Sequence, residues 1–187
     1  MILYSKEYLQ NTLEYYDVNR VMSYDAHSFI SQYKNLDQYH TILKSYWSIR
    51  SKNKSGGGGV FVHNINYYEA LIYLREYRLI RDNLYICESL KKYDDENLIC
   101  NGEVEVFKKY GIYEYQGWIN TEKGLNLREA NKGITCKQIT NRHHIPTCLF
   151  DLIWTKGILN SVIEFSLYDR GVGIKNEDLL IWEIRRY

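Results

Sequence analysis

The residues of this chain that could do chemistry are concentrated between residues 132 and 160. Two adjacent histidines, His143 and His144, precede Ile145 and the only proline of the sequence, Pro146, and Asn160 follows them. A histidine changes its protonation near neutral pH and can accept a proton from water, and an asparagine oxygen can bind a hard divalent metal ion. The spacing therefore permits a hydrolytic centre made of His143, His144 and Asn160.

Residues 143–146 resemble the histidine motif of His-Me finger (HNH-type) nucleases. The resemblance implies a histidine that activates water beside a single Mg²⁺, with Asn160 as a ligand of that ion. One feature departs from the family, because its histidine ends a strand and His143 stands at the end of a predicted helix. A metal-dependent nuclease is therefore an alternative. The primary expectation is a non-enzymatic binding protein that has no resident metal and no cofactor.

The same stretch also has the spacing of two short helices. Thr135 can accept hydrogen bonds from the free amides of a first turn, so it predicts the start of a helix that ends at residues 141–144. Residues 145–147 predict a turn. A second helix is predicted over residues 148–155, and Gly157 is expected to end it.

The segments ITCKQITNRHHIP and KGILNS resemble the helix-turn-helix of winged-helix regulators, over residues 133–175. The resemblance implies nucleic-acid binding, with strands of the wing at residues 162–168 and 179–184. One departure is length, because residues 147–157 are shorter than a usual recognition helix and reach less far into a major groove. The resemblance assigns phosphate contacts to four basic residues and places four polar ones nearest the bases: Lys137, Arg142, Lys156 and Arg170, then Gln138, Asn141, His143 and Thr147.

A structural interpretation of the same residues remains open, in which they form a helical hairpin packed on a sheet. Its core would be apolar: Ile134, Ile139, Leu149, Leu152 and Trp154. The overall charge adds little support for nucleic acid, because 24 Lys and Arg residues stand against 23 Asp and Glu residues. Any contact with nucleic acid must therefore come from a local patch.

Tyrosine is unusually abundant, at 19 residues against one proline. Tyrosine supplies rigid contact area with a polar tip, so a protein-binding inhibitor or accessory subunit is a further alternative. Tyrosine, asparagine, isoleucine and lysine also have AT-rich codons, whereas proline does not. This bias favours a virus or a mobile element as the source of the chain.

The four cysteines, Cys87, Cys100, Cys136 and Cys148, contain no CxxC pair. We expect them to be reduced, buried and without metal. The first residues lack the basic and apolar regions of a signal peptide, and no run approaches the length of a transmembrane helix. The sequence therefore predicts a cytoplasmic protein without membrane contact.

Apolar spacing predicts the fold. Residues 6–50 have helical periodicity, whereas residues 103–109 and 112–119 alternate between apolar and polar, as in antiparallel strands with one wet face. Glu103 and Glu105 are expected to point outward together. The predicted class is α+β, with a helical N-terminal half, an antiparallel meander and a C-terminal helix-loop-helix with a β-hairpin.

Four consecutive glycines, residues 56–59, divide the chain. They could cradle a phosphate, but they lack the Gly-Lys-Ser/Thr ending of a P-loop, so a linker or hairpin tip is favoured. The predicted domains are a helical segment at 1–54, a glycine linker at 55–59 and an α+β domain at 60–187, with a winged-helix-like C-terminal part.

Overall fold

The computed structural model describes residues 6–32, 43–52, 60–89, 98–121, 136–169 and 179–186. The chain forms two compact units: Met1–Tyr8 with Val21–Lys92, and Leu9–Arg20 with Tyr93–Tyr187. The helices are α1 (Lys6–Tyr15), α2 (Ala26–Ser31), α3 (Tyr67–Glu76) and α4 (Thr147–Lys156), with 3-10 helices at Arg78–Asn83 and Arg142–His144. The strands are β1 (Ser23–Asp25), β2 (Trp47–Ser51), β3 (Val60–Ile65), β4 (Leu84–Glu88), β5 (Leu98–Lys109), β6 (Ile112–Asn120), β7 (Lys137–Gln138), β8 (Ser161–Tyr168) and β9 (Leu179–Arg186).

The first unit is built on a four-stranded antiparallel sheet in the order β1-β4-β2-β3. Trp47 and Ile49 of β2 are fully buried and pack with Ile86 of β4. Phe29 of α2 and Tyr67 of α3 belong to the same core, so both helices cover one face of the sheet. Because side chains alternate along a strand, the intervening residues of β2 point to the opposite face.

Local hydrogen bonds fix where the helices of this unit begin. The Asp25 side chain accepts hydrogen bonds from the amides of His27 and Ser28, which caps α2. Asn66 and Glu69 bond reciprocally at the start of α3. Within the described ranges, no helix is long and apolar enough to cross a membrane.

The second unit is built on a five-stranded antiparallel sheet in the order β7-β6-β5-β8-β9. The inner side chains of its strands meet the apolar face of α4, where Leu149 and Ile153 are fully buried. Tyr16 and Val18, which follow α1, join this core. Gly157 ends α4 in the left-handed conformation, at φ 66°, as the sequence predicts.

The predicted fold class is wrong, because the described residues form two antiparallel sheets, with 44% strand against 35% helix, and the N-terminal half is not helical. Residues 47–51, expected to end a helical region, form β2 in the middle of a sheet. Short apolar runs fit both periods, and pairing with β3 and β4, which lie further along the chain, decides the outcome. The glycine run itself lies outside the described residues. The strands on either side of it, β2 and β3, pair directly with each other.

The first helix of the predicted helix-turn-helix is also wrong over its described part. Lys137 and Gln138 form the edge strand β7, which pairs with Ile119 and Trp118 of β6. Residues 142–144 form a single 3-10 turn. The second helix is present as α4, and it packs its apolar face on the sheet.

Candidate functional site: the outward face of the five-stranded sheet

The face of the five-stranded sheet opposite its core carries a row of glutamates. Val104 and Val106 of β5 are fully buried in the core, so Glu103 and Glu105 point to the other face, as the sequence predicts. Strand register places Glu103 opposite Glu164 of β8. Glu164 is in turn opposite Glu183 of β9. Three carboxylates on adjacent strands therefore share one face. This face is called the glutamate face below.

Arg185 lies two residues beyond Glu183 on β9 and reaches across the glutamate face. Its guanidinium nitrogen is 2.5 Å from Oε1 of Glu103, and both side chains are about one-third exposed. Burial acts to lower the pKa of Arg185, but the charge and hydrogen bond of Glu103 and the charges of Glu164 and Glu183 raise it overall. The Nε atom of Arg185 is buried and has no hydrogen-bond partner among the described residues.

Further polar contacts surround this group. Gln116 of β6 donates a hydrogen bond to the Glu105 carboxylate, which is buried. A bulge in the pairing of β8 with β9 follows Glu164, and next to it the indole nitrogen of Trp182 donates to the Ser166 hydroxyl over 2.8 Å. The polar side chains of the glutamate face thus form hydrogen bonds with one another and are not bonded to water alone.

The glutamates do not form a metal site in the arrangement observed. A divalent ion needs several oxygen ligands directed at one point. Among the described residues, no group of three or more His, Cys, Asp or Glu side chains is placed to hold a metal ion. The guanidinium of Arg185 lies among the carboxylates instead.

The outward face of the four-stranded sheet in the first unit carries a second polar group. Arg50 of β2 is opposite Tyr85 of β4, and their neighbours Trp47 and Ile49 point into the core. On the same face, the Ser48 hydroxyl lies 2.9 Å from Nδ1 of His63. The Nε atom of Arg50 is buried without a hydrogen-bond partner in the described part of the chain.

The predicted nuclease residues do not come together. His143 and His144 line a cleft of about 730 Å³ in the second unit, together with Cys100 of β5 and Cys148 at the start of α4. Asn160 follows the other end of α4, where its amide donates to the Val106 carbonyl. Ten helical residues separate the two ends by about 15 Å, which is too far for a shared ion.

The predicted nucleic-acid contacts are spread over the second unit. Lys137 and Gln138 are exposed on the edge strand β7, and Arg142 stacks on the Phe150 ring at 4.3 Å. Asn141 accepts a hydrogen bond from the amide of His143, and its side-chain nitrogen lies 3.3 Å from Nε2 of His144. Thr147 begins α4, Lys156 at its other end pairs with Asp17 at 3.5 Å, and Arg170 lies outside the described residues. Nucleic-acid binding stays a prediction.

The glutamate face contains residues that were not singled out from the sequence. Glu164, Glu183 and Arg185 lie in segments where strands were expected, so their alternation with apolar residues was visible. What the sequence did not reveal is the register that aligns them with Glu103.

Cys100 should be the least reactive of the four thiols. Burial, with a smaller contribution from Cys148, raises the pKa of Cys100 to about 12. At pH 8 only about one thiol in 10⁴ would then be ionised, and the thiolate is the reactive form. The other three cysteines are half-buried, so the expectation that all four are buried is wrong for them. We expect Ellman's reagent at pH 8 to modify these three while Cys100 reacts only after unfolding, and rapid labelling of Cys100 would contradict this.

Comparison with known proteins finds likeness only among solved structures. No family model matches the sequence, and no curated protein matches it. A solved structure that matches with a TM-score of 0.55 shares the fold. At 11–12% identity, the likeness concerns the fold alone.

Three solved structures match the chain at low identity. D-alanyl-alanine synthetase A from Vibrio cholerae matches with a TM-score of 0.55 and 11% identity, over 98% of this chain and 55% of that protein. The macrocyclase MdnC from Microcystis aeruginosa, bound with its precursor peptide MdnA, gives 0.46 and 11% over 94% and 51%. The ADP complex of purK, N5-carboxyaminoimidazole ribonucleotide synthetase, gives 0.48 and 12% over 98% and 45%. This chain therefore spans about half the length of the solved proteins it matches.

Proposed function

We propose that this chain is an ATP-grasp-like ligase module, and that the outward face of its four-stranded sheet contributes to binding ATP. The observation that carries the proposal is the likeness to D-alanyl-alanine synthetase A, which extends over 98% of this chain. A ligase joins two molecules, and the class is named for the ATP that it holds. The reaction and the molecules joined are not part of the proposal.

Arg50 is the residue most suited to contact a phosphate group. A buried nitrogen without a partner costs about 1–3 kcal/mol, which a bound acceptor would offset. Arginine is always charged and presents a planar set of donors that matches phosphate oxygens. Arg50 also stands two residues before Lys52, in the segment that leads into the lysine- and glycine-rich sequence at 52–59. The local sequence is therefore basic and free of acidic residues.

Titration calorimetry with ATP tests the proposal. We expect the folded chain to bind ATP and Arg50→Ala to lower the affinity at least tenfold, because a hydrogen bond to a charged group contributes about 1.5–3 kcal/mol. Arg75→Ala, an exposed arginine on α3 in the same unit, removes the same charge and should leave affinity within about twofold.

Two results would contradict this expectation. Absence of ATP binding by the folded chain would refute the proposed function. Equal losses of ATP affinity in Arg50→Ala and Arg75→Ala would show that Arg50 has no specific role in binding ATP. Duplex DNA at low salt is the comparison ligand. Tight, salt-dependent binding of DNA without ATP binding would favour the nucleic-acid interface predicted from the sequence instead.

A further inference from the structure

We infer that the Arg185 guanidinium takes the place of a divalent cation on the glutamate face. A side chain of the protein then supplies the positive charge among the carboxylates, and the face does not bind a metal ion. The inference rests on the proposed function in one respect. A protein that holds ATP is expected to bind Mg²⁺ as well, commonly through one or two carboxylates together with the phosphates. The glutamate face is where carboxylates of adjacent strands gather in the second unit.

The position of the guanidinium supports this inference. Glu103, Glu164 and Glu183 stand on three adjacent strands, which are spaced by about 4.8 Å, so their negative charges repel one another unless a cation lies among them. Arg185 starts on β9 and pairs with Glu103 on β5. Its side chain must therefore cross in front of β8, the strand that carries Glu164.

The residues beside Arg185 leave room for this crossing. Directly opposite Arg185 on β8 is Val162, a short apolar side chain, and beyond it on β5 is Glu105. The Glu105 carboxylate is engaged by Gln116 and is not the partner of the guanidinium. The Arg185 side chain thus runs diagonally into the row of three glutamates. It donates a hydrogen bond to Oε1 of Glu103, an oxygen that a metal ion would need as a ligand.

Manganese binding in the absence of nucleotide tests the inference. Mn²⁺ is a paramagnetic substitute for Mg²⁺, so free and bound ion can be measured by electron paramagnetic resonance. We expect the unaltered chain to bind no Mn²⁺ at 1:1 stoichiometry at about 1 mM ion, and Arg185→Gln and Arg185→Ala to gain binding at least tenfold tighter, because the guanidinium that pairs with Glu103 no longer lies among the carboxylates. Lys109→Ala, an exposed residue at the end of β5, removes the same charge from the same unit and should gain nothing.

A second substitution locates any ion that binds. In the Arg185→Gln background, Glu183→Gln should abolish the gained Mn²⁺ binding. Folded Arg185 variants that gain no binding would overturn the inference. If those variants do not fold, Glu183→Gln alone decides it. Mn²⁺ binding by the unaltered chain that is lost in Glu183→Gln overturns the inference. Absence of 1:1 binding by the unaltered chain, or weak binding that Glu183→Gln leaves unchanged, supports it. Because no nucleotide is present, failure of ATP binding would refute the proposed function without changing this result.

Discussion

Trp47→Ala should cost about 3–5 kcal/mol of folding free energy, which is much of the stability of a small protein unit. Trp47 is fully buried on β2. Its ring lies 4.9 Å from that of Phe29 in an edge-to-face arrangement and 5.8 Å from that of Tyr24. Removing the indole leaves a cavity in the middle of the core that joins α2 to the four-stranded sheet. Urea denaturation followed by far-ultraviolet circular dichroism measures the loss.

Phe61→Ala is the matched control for this substitution. Phe61 is on β3, in the same sheet, but 48% of it is exposed. Its truncation removes aromatic area that is largely in contact with water already, so we expect a change within about 1 kcal/mol. Comparable losses in the two variants would mean that Trp47 is not central to the core of this unit.

Parts of the fold followed directly from local sequence. The predicted strands at residues 103–109 and 112–119 are confirmed, because their alternation of apolar and polar residues matches the two faces of the sheet. The end of α4 at Gly157 is also confirmed, and the cap of α2 is equally local, because Asp25 accepts hydrogen bonds from amides two and three residues later. In these cases, one side chain or one short pattern determines the structure by itself.

Other parts depended on partners that are distant in sequence. The tyrosine- and isoleucine-rich region before residue 50 fits a helical period, yet β2 is held by hydrogen bonds to β3 and β4. Two asparagines, Asn64 and Asn66, precede α3 and both are suitable cap residues, but Asn64 has φ at 54° and Asn66 caps the helix. The sequence alone leaves the start of this helix uncertain by two residues. The reciprocal hydrogen bonds between Asn66 and Glu69 fix it, and they are known only from the structure.

The candidate site was hidden for the same reason. Glu103 was identified as an outward residue, but its partner Arg185 is 82 positions further along the chain. A glutamate row across β5, β8 and β9 exists only when strand register is known, and a slip of one residue would send each glutamate to the core face. Local motifs drew attention to His143 and His144 instead, but Asn160, the predicted ligand of a metal ion beside them, lies beyond the far end of α4.

Gly117→Ala is expected to destabilise the second unit by about 3 kcal/mol or more and to displace Glu103. Gly117 has φ at 131°, a conformation that side chains other than glycine rarely adopt, so strain alone costs about 1–3 kcal/mol. An added Cβ would also collide with the carbonyl oxygen of Glu103 and lie 2.9 Å from its carbonyl carbon. Both atoms are backbone, so β5 and β6 must separate there, with a further loss of about 0.5–1.5 kcal/mol for each hydrogen bond broken.

Gly111→Ala separates backbone strain from this collision. Gly111 also has positive φ, at 83°, but a Cβ there meets no atom within 4 Å, so we expect a loss of only about 1–2 kcal/mol. Urea denaturation of both variants gives the difference. The amide exchange of Glu103 and Val104 then reports whether β5 has moved away from β6. Because Glu103 binds the Arg185 guanidinium, displacement of β5 in Gly117→Ala should also weaken the ion pair between Glu103 and Arg185. Equal stability of the two variants, with unchanged exchange at Glu103, would show that the close approach at Gly117 does not set the position of this carboxylate.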